Sequence, residues 1–372
     1  MKLTQLLFRY WLVVVIYEIA SGAVCAFIAQ NKRRDQGIWF IIGLLLGIAG
    51  IVVALIMGRL PDEKAAKNNL LLDSTRRLRS GWRILLFLIA IFVLYYLLAV
   101  LAELTRVVPP QSLFFLFYIV ILLVTFMMLR FVDKRRFASV GFPYHGKIFK
   151  EILLGFVIGT VMIGLVGWAE LVVGAIKLNP RPDVSPLMLI RNFGLSLIFF
   201  AYFAMGEELL FRGYPYQALI EGTGVTGATI LMSVVFGAMH LMNPQANLFS
   251  TVNTMLAGVW LSIAYLKTRS LYFPFGMHFS WNIVQSFFLS LPVSGLLTNR
   301  TLFIPTDYGP EWLTGGRYGP EAGAGTTAIM VIVIVYFILE KRIRPSYDFA
   351  RLNERLQNSE SDPSKGELQK GN

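Results

Sequence analysis

The sequence contains one cysteine, Cys25, so it has neither an intramolecular disulfide nor a cysteine-based metal cluster. Charge is scarce: 15% of the 372 residues are Asp, Glu, Lys or Arg, against about a quarter in ordinary soluble proteins. The aspartates (Asp35, Asp62, Asp73, Asp133, Asp183, Asp307, Asp348 and Asp362) all fall outside the apolar stretches, which excludes an intramembrane aspartyl dyad. There is no His-Glu-x-x-His motif. Gly194-Leu195-Ser196-Leu197 lacks the second glycine of a Gly-x-Ser-Gly nucleophile loop, so a serine mechanism is disfavoured. Only three histidines occur. No small-residue cleavage site follows the first apolar stretch, 11–29, which would then serve as a signal anchor.

What fills the chain is apolar: 56% of its residues are hydrophobic. Runs of about 18 or more apolar residues are long enough to cross the hydrocarbon core. The ranges 38–58, 84–102 and 112–129 qualify, and 152–176 does so with one interruption at Glu170. The ranges 193–206, 226–242, 249–266, 271–291 and 328–339 are shorter or more polar. These runs predict an all-α, polytopic transmembrane bundle of about 8–10 membrane helices, rather than several soluble domains.

The formal charge of +12 is concentrated in short loops between the runs. One cluster lies in 59–83 and a second in 130–150. Lys267 with Arg269, and Lys341, Arg342 and Arg344, form two more. Alternating spans would put all four on the cytoplasmic face, with the C-terminus, in a multi-pass protein of the cell membrane (the inner membrane, if bacterial). Nucleic acid is then a poor reading of the charge. The alternation strains at Lys32, Arg33 and Arg34, so 1–83 reads as an N-terminal two-helix hairpin with a basic linker. The bundle proper reads as 84–345, with its functional core at about 150–291, and 346–372 as a disordered polar tail. The Gly- and Pro-rich stretch 297–326 carries Tyr-Gly-Pro-Glu twice and reads as an outward loop without a chemical motif.

Ionisable groups at membrane depth cost at least about 2.5–3.5 kcal/mol each and mark function by default. Three groups stand out. In Glu207-Glu208-Leu209-Leu210-Phe211-Arg212, Glu208 and Arg212 are one helical turn apart and can pair. Glu207 points about 100° away, without an obvious cation, as a general base should. An interfacial charge cluster is the bland alternative. His240 ends the run Val234–Met239, where a packing role is the usual one. His278 and Asn282 again share one face and make a donor pair for an oxyanion, or else an interhelical clamp. His145, in a basic loop, carries no such signal. Together a carboxylate, two imidazoles and an amide supply the parts for activating water and stabilising a tetrahedral intermediate, that is, for amide hydrolysis.

With Glu207-Glu208…Arg212, Phe236…His240 and His278…Asn282 in this order, the sequence resembles the CPBP family of intramembrane proteases. That family includes the type II CAAX prenyl endopeptidases and bacteriocin-processing relatives. The resemblance covers about 150–291. It implies an intramembrane endopeptidase acting on a membrane-embedded or lipidated peptide or protein substrate at the bilayer. Glu207 would activate water with help from His240, His278 and Asn282 would hold the oxyanion, and Glu208 and Arg212 would support the site. The family has also been described as metalloproteases; zinc would take Glu207, His240 and His278. The pairing of His278 with Asn282 suits an oxyanion hole better, and a metal-free mechanism is favoured. A transporter, or an immunity or scaffold protein, using the same polar cluster is the competing reading; no internal repeat supports it.

Overall fold

The computed structural model describes residues 3–57, 72, 77–106, 113–297 and 301–345. The tail 346–372 and most of the basic stretch after residue 58 lie outside the described residues. The architecture is an all-α bundle with one two-stranded ribbon. It begins with α1 (Leu3–Asn31), α2 (Gln36–Leu46) and α3 (Ile48–Ile56). The apolar run 38–58, expected as one membrane helix, is therefore two, broken at Gly47 (φ +53). Next come α4 (Ser80–Thr105), α5 (Leu113–Met127), which continues as a π-helix over Met128–Asp133, and α6 (Ile148–Val172).

The functional half follows with α7 (Pro186–Arg212), α8 (Tyr214–Met239), α9 (Leu248–Thr268) and α10 (Tyr272–Ile283). It is closed by α11 (Glu311–Thr314) and α12 (Ala324–Leu339). Start signals are visible in the sequence. Ser185 caps α7 by accepting from the Met188 amide at 3.3 Å ahead of Pro186, and Asn247 forms a capping box with Ser250 at the start of α9. Strand β1 (Ile176–Pro180) pairs antiparallel with β2 (Phe303–Asp307), Ile176 opposite Asp307.

Five stretches are long and apolar enough to cross a membrane: Ser80–Thr105, Phe115–Asp133, Ile148–Val172, Pro186–Met242 and Leu248–Thr268. The fourth of these bends at Gly213 into α7 and α8. On α4, Phe92 and Leu104 are 71% and 77% exposed, beside uncovered Ile89, Tyr96 and Leu97. Such a surface suits lipid, and a helix satisfies its own backbone there. The chain is a multi-pass membrane protein.

Side-chain packing divides into connected cores. Trp39, Phe87, Val124, Tyr214 and Phe236 belong to one that joins α2, α4, α5 and α8. Ile163, Trp260, Phe273 and Phe337 belong to another, joining α6, α9, α10 and α12. An ion cluster, buried at Arg83 and Asp133 and open at Glu221 and Arg135, ties the first together. Arg83 of α4 donates to Asp133 at 3.0 Å and to Glu221 of α8, and Arg135 donates to Glu221 at 2.9 Å.

Helices α6 and α10 cross with their backbones in contact. A Cβ on Gly155 would lie 2.2 Å from the Phe273 carbonyl oxygen, and one on Gly276 would lie 2.3 Å from that of Ile152. Neither obstacle is a side chain that can swing away. Gly155→Val is therefore expected to destabilise the fold by about 1–3 kcal/mol through overpacking, read as a lowered thermal midpoint in detergent. An unchanged midpoint would show that the crossing relaxes freely.

Candidate active site

The last turns of α7 carry three charged side chains with different surroundings. Glu208 is fully buried and its Oε1 accepts from Arg212 at 3.3 Å, the one-turn pair. The Arg212 guanidinium also donates to the Gly258 carbonyl of α9 at 3.1 Å and stacks over the Phe236 ring at 4.9 Å. One arginine thus joins α7, α8 and α9.

The same Glu208 oxygen accepts from His278 Nδ1 at 2.9 Å. Because Nδ1 is committed as a donor to a carboxylate, the other ring nitrogen is aimed forward. It lies 3.8 Å from Glu207 Oε2. Glu207 has no lysine or arginine partner among the described residues, and its remaining contact is Tyr118 of α5, whose hydroxyl donates at 3.4 Å. Gly206 makes room for that ring: a Cβ at 206 would sit 2.3 Å from it.

Across from this set, His240 lies just beyond the end of α8. Its Nδ1 donates to the Phe236 carbonyl at 2.7 Å, leaving Nε2 as the ring's free nitrogen. Phe236 lies between the two imidazoles, 4.6 Å from the ring of His240 and 6.5 Å from that of His278. Asn282, one turn after His278, is 9% exposed. Glu207, His240, His278 and Asn282 all line one cavity of about 290 Å³. Glu208 and Arg212 sit behind it, holding His278. The imidazole nearest Glu207 is that of His278.

A further carboxyl group lines the cavity, and sequence reasoning missed it. Glu321 comes from the loop read as chemically silent. Its Oε2 accepts from the Ser294 amide at 2.7 Å and the Ser294 hydroxyl at 2.6 Å, and its Oε1 accepts from the Trp281 indole at 3.3 Å. Burial pushes the Glu321 carboxyl above its ordinary range, while the Ser294 donors, His240 and Trp281 pull it back. The only local signal was the repeated Tyr-Gly-Pro-Glu.

Three ligands are needed for a catalytic zinc site. Among the described residues no three His, Cys, Asp or Glu side chains converge to hold a metal ion. The three residues that the sequence offers for zinc, Glu207, His240 and His278, all line the cavity, with His278 Nε2 3.8 Å from Glu207 Oε2.

Comparison with known families now bears on this geometry. Residues 189–284 match the model of the family described as type II CAAX prenyl endopeptidase Rce1-like. This match over part of the chain supports an assignment to the CPBP/CAAX protease family. The match runs from within α7 to residue 284, just past the end of α10, and so contains Glu207, Glu208, Arg212, His240, His278 and Asn282. The match supports, in general, a CAAX-type intramembrane endopeptidase, a hydrolase. Glu321 lies outside the segment that this CAAX-protease match covers. No curated protein matches the chain.

Proposed function

We propose that the protein hydrolyses a peptide bond of a membrane-associated substrate with water activated by Glu207. The observation that carries this reading is the shared cavity. A carboxylate with no lysine or arginine partner among the described residues, two imidazoles and an amide meet in it, and the groups that fix them are buried behind. Glu207 takes a proton from water as the new C–O bond forms, His240 helping to hold that water. Negative charge moves to the carbonyl oxygen, where Asn282 and the doubly protonated His278 ring, its Nδ1–H held by Glu208 and its Nε2–H facing the cavity, donate to it. On collapse the C–N bond breaks and the proton held by Glu207 passes to the leaving amine. Glu208 and Arg212 keep the His278 ring in place.

The cavity wall formed by Phe117, Tyr118, Phe199, Phe200 and Phe203 suits an apolar stretch or a lipid attached to the substrate, prenylated CAAX proteins among them. The basic loops support an orientation with the C-terminus in the cytoplasm.

The test uses full-length protein reconstituted in lipid with prenylated and unmodified membrane-anchored peptides, the products being identified by mass. Wild-type protein is expected to cut at one bond. Asn282→Ala is expected to lower kcat by about 10²–10³-fold with little change in KM, since an oxyanion donor acts in the transition state. An undiminished kcat would remove Asn282 from the oxyanion hole. Stoichiometric zinc in the active protein would overturn the metal-free mechanism. Proton-coupled solute movement without any cleavage would favour a transporter.

A further inference from the structure

The apolar span that begins at Phe115 ends among cations. Arg130, Lys134, Arg135 and Arg136 line a cavity of about 270 Å³, separate from the one at Glu207. The local backbone brings them together. α5 widens into the π-helix at Met128–Asp133, and Lys134, left-handed at φ +53, turns the chain back. The amides of Lys134 and Arg135 both donate to the Leu129 carbonyl, the latter at 2.8 Å, so the next two arginines return beside the turn that carries Arg130.

The rest of the lining is apolar. Leu129 is buried, and Phe137 stacks on Phe142 with ring centroids 5.3 Å apart. Phe126 lies one turn before Arg130. Ile119, Leu122, Leu123 and Phe126, between 44% and 51% exposed, are spaced to share one face of α5, and Arg130 continues it. An uncovered apolar track therefore runs along the span and ends at the basic cavity.

The carboxylates closest in the chain and the fold are already engaged. Asp133 and Glu221 are shared among Arg77, Arg83 and Arg135. The side chains of Arg130, Lys134 and Arg136 make no hydrogen bond or ion pair among the described residues. Four like charges opening into one cavity repel one another, and an anion seated among them replaces that repulsion with attraction. Phosphate suits guanidinium groups in particular, because a planar fork can donate to two of its oxygens at once. A soluble anion would leave the apolar track uncovered. A phosphate carried on acyl chains fills the cavity and covers the track together.

We propose that this cavity binds the phosphate headgroup of an anionic membrane lipid through Arg130, Lys134 and Arg136, with its acyl chains along Phe126 and the exposed face of α5. The site stands apart from the cavity at Glu207 and does not depend on the reaction assigned there.

The test is lipid retention by full-length protein in non-ionic detergent, counted by native mass spectrometry. The probes are dioctanoyl phosphatidic acid, dioctanoyl phosphatidylcholine and inorganic phosphate. One phosphatidic acid per protein is expected to be held about tenfold more tightly than phosphatidylcholine, whose choline offsets the phosphate charge. Inorganic phosphate in excess should not displace it. Replacing Arg130, Lys134 and Arg136 together by glutamine should weaken retention by about tenfold. The same exchange at Lys341, Arg342 and Arg344, which do not line the cavity, removes equal charge and should leave retention unchanged. Arg130→Lys with Arg136→Lys keeps the charge but loses both forks, and should fall between the parent and the glutamine variant.

Equal weakening by the two triple variants would mean that diffuse surface charge holds the lipid. Displacement by inorganic phosphate would mean a site for a soluble anion, and equal retention of the two lipids a site without charge selection. Each of these overturns the proposal. Thermal midpoints show whether the variants are folded. If the triple glutamine variant is not, the lysine variant carries the test, and undiminished affinity in it counts against the site.

Discussion

Glu207→Gln is expected to lower kcat for peptide hydrolysis by about 10²–10⁴-fold, the range a positioned general base supplies. The exchange is close to isosteric. The glutamine oxygen can still accept from Tyr118, so the site keeps its shape and loses the proton acceptor. Because the base acts as the transition state forms, kcat and kcat/KM should fall together, with KM little changed. The thermal midpoint should hold, since Glu207 is outside the buried pair of Glu208 and Arg212 and its side chain is 20% exposed. Single-turnover cleavage in reconstituted membranes reads the effect. A rate close to that of the parent would place the base elsewhere in the cavity.

Arg212→Met should be the most destabilising of the substitutions considered, by about 3–5 kcal/mol, the usual result of stripping the partner from a buried charge. Glu208 has no solvent exposure, and its Oε2 has no hydrogen bond to draw on. The loss is a large part of a typical folding stability of about 5–15 kcal/mol. Lysine should rescue poorly. A single ammonium cannot reproduce a planar fork that donates to Glu208 and to the Gly258 carbonyl while stacking on Phe236. Combining Glu208→Gln with Arg212→Met should recover part of the loss, because the uncompensated charge is then gone. Thermal unfolding in detergent gives both numbers. Equal losses in the single and double variants would mean that Arg212 matters for packing alone.

Local periodicity made a large part of the site legible in advance. Glu208 with Arg212, and His278 with Asn282, are each one turn apart, and a helix leaves such pairs on one face. The motif order then tied three helices together. Which imidazole meets Glu207 was not visible, because it depends on how α7 and α10 pack; His278 is drawn in by Glu208. Glu321 shows the limit most clearly. Tyr-Gly-Pro-Glu occurs at 308–311 and again at 318–321, yet Glu311 starts the short exposed helix α11 while Glu321 lines the cavity. Identical tetrapeptides part ways because Asn253, Ser294 and Trp281 receive only the second.

Membrane segments were legible for a similar reason: length and apolarity decide them. Their ends were not. The run 193–206 grew to Pro186–Arg212, since Arg191, Asn192 and the charged turn at 207–212 remain helical despite their polarity. The break at Gly47 also escaped a hydropathy count, which registers transfer cost and not backbone angle.

The contact of α6 with α10 limits how a bulky substrate can reach the cavity. Two helices touching main chain to main chain slide or stay put; prising them apart would forfeit the whole interface at once. His278 and Asn282 therefore ride on a stiff rail. The compliant side of the chamber is the one formed by α5 and α7, where Phe115, Tyr118, Tyr202 and Phe203 meet through ring contacts that rotamer changes can rearrange. Traffic from the surrounding lipid should pass there, parting aromatic leaves while the glycine seam stays shut.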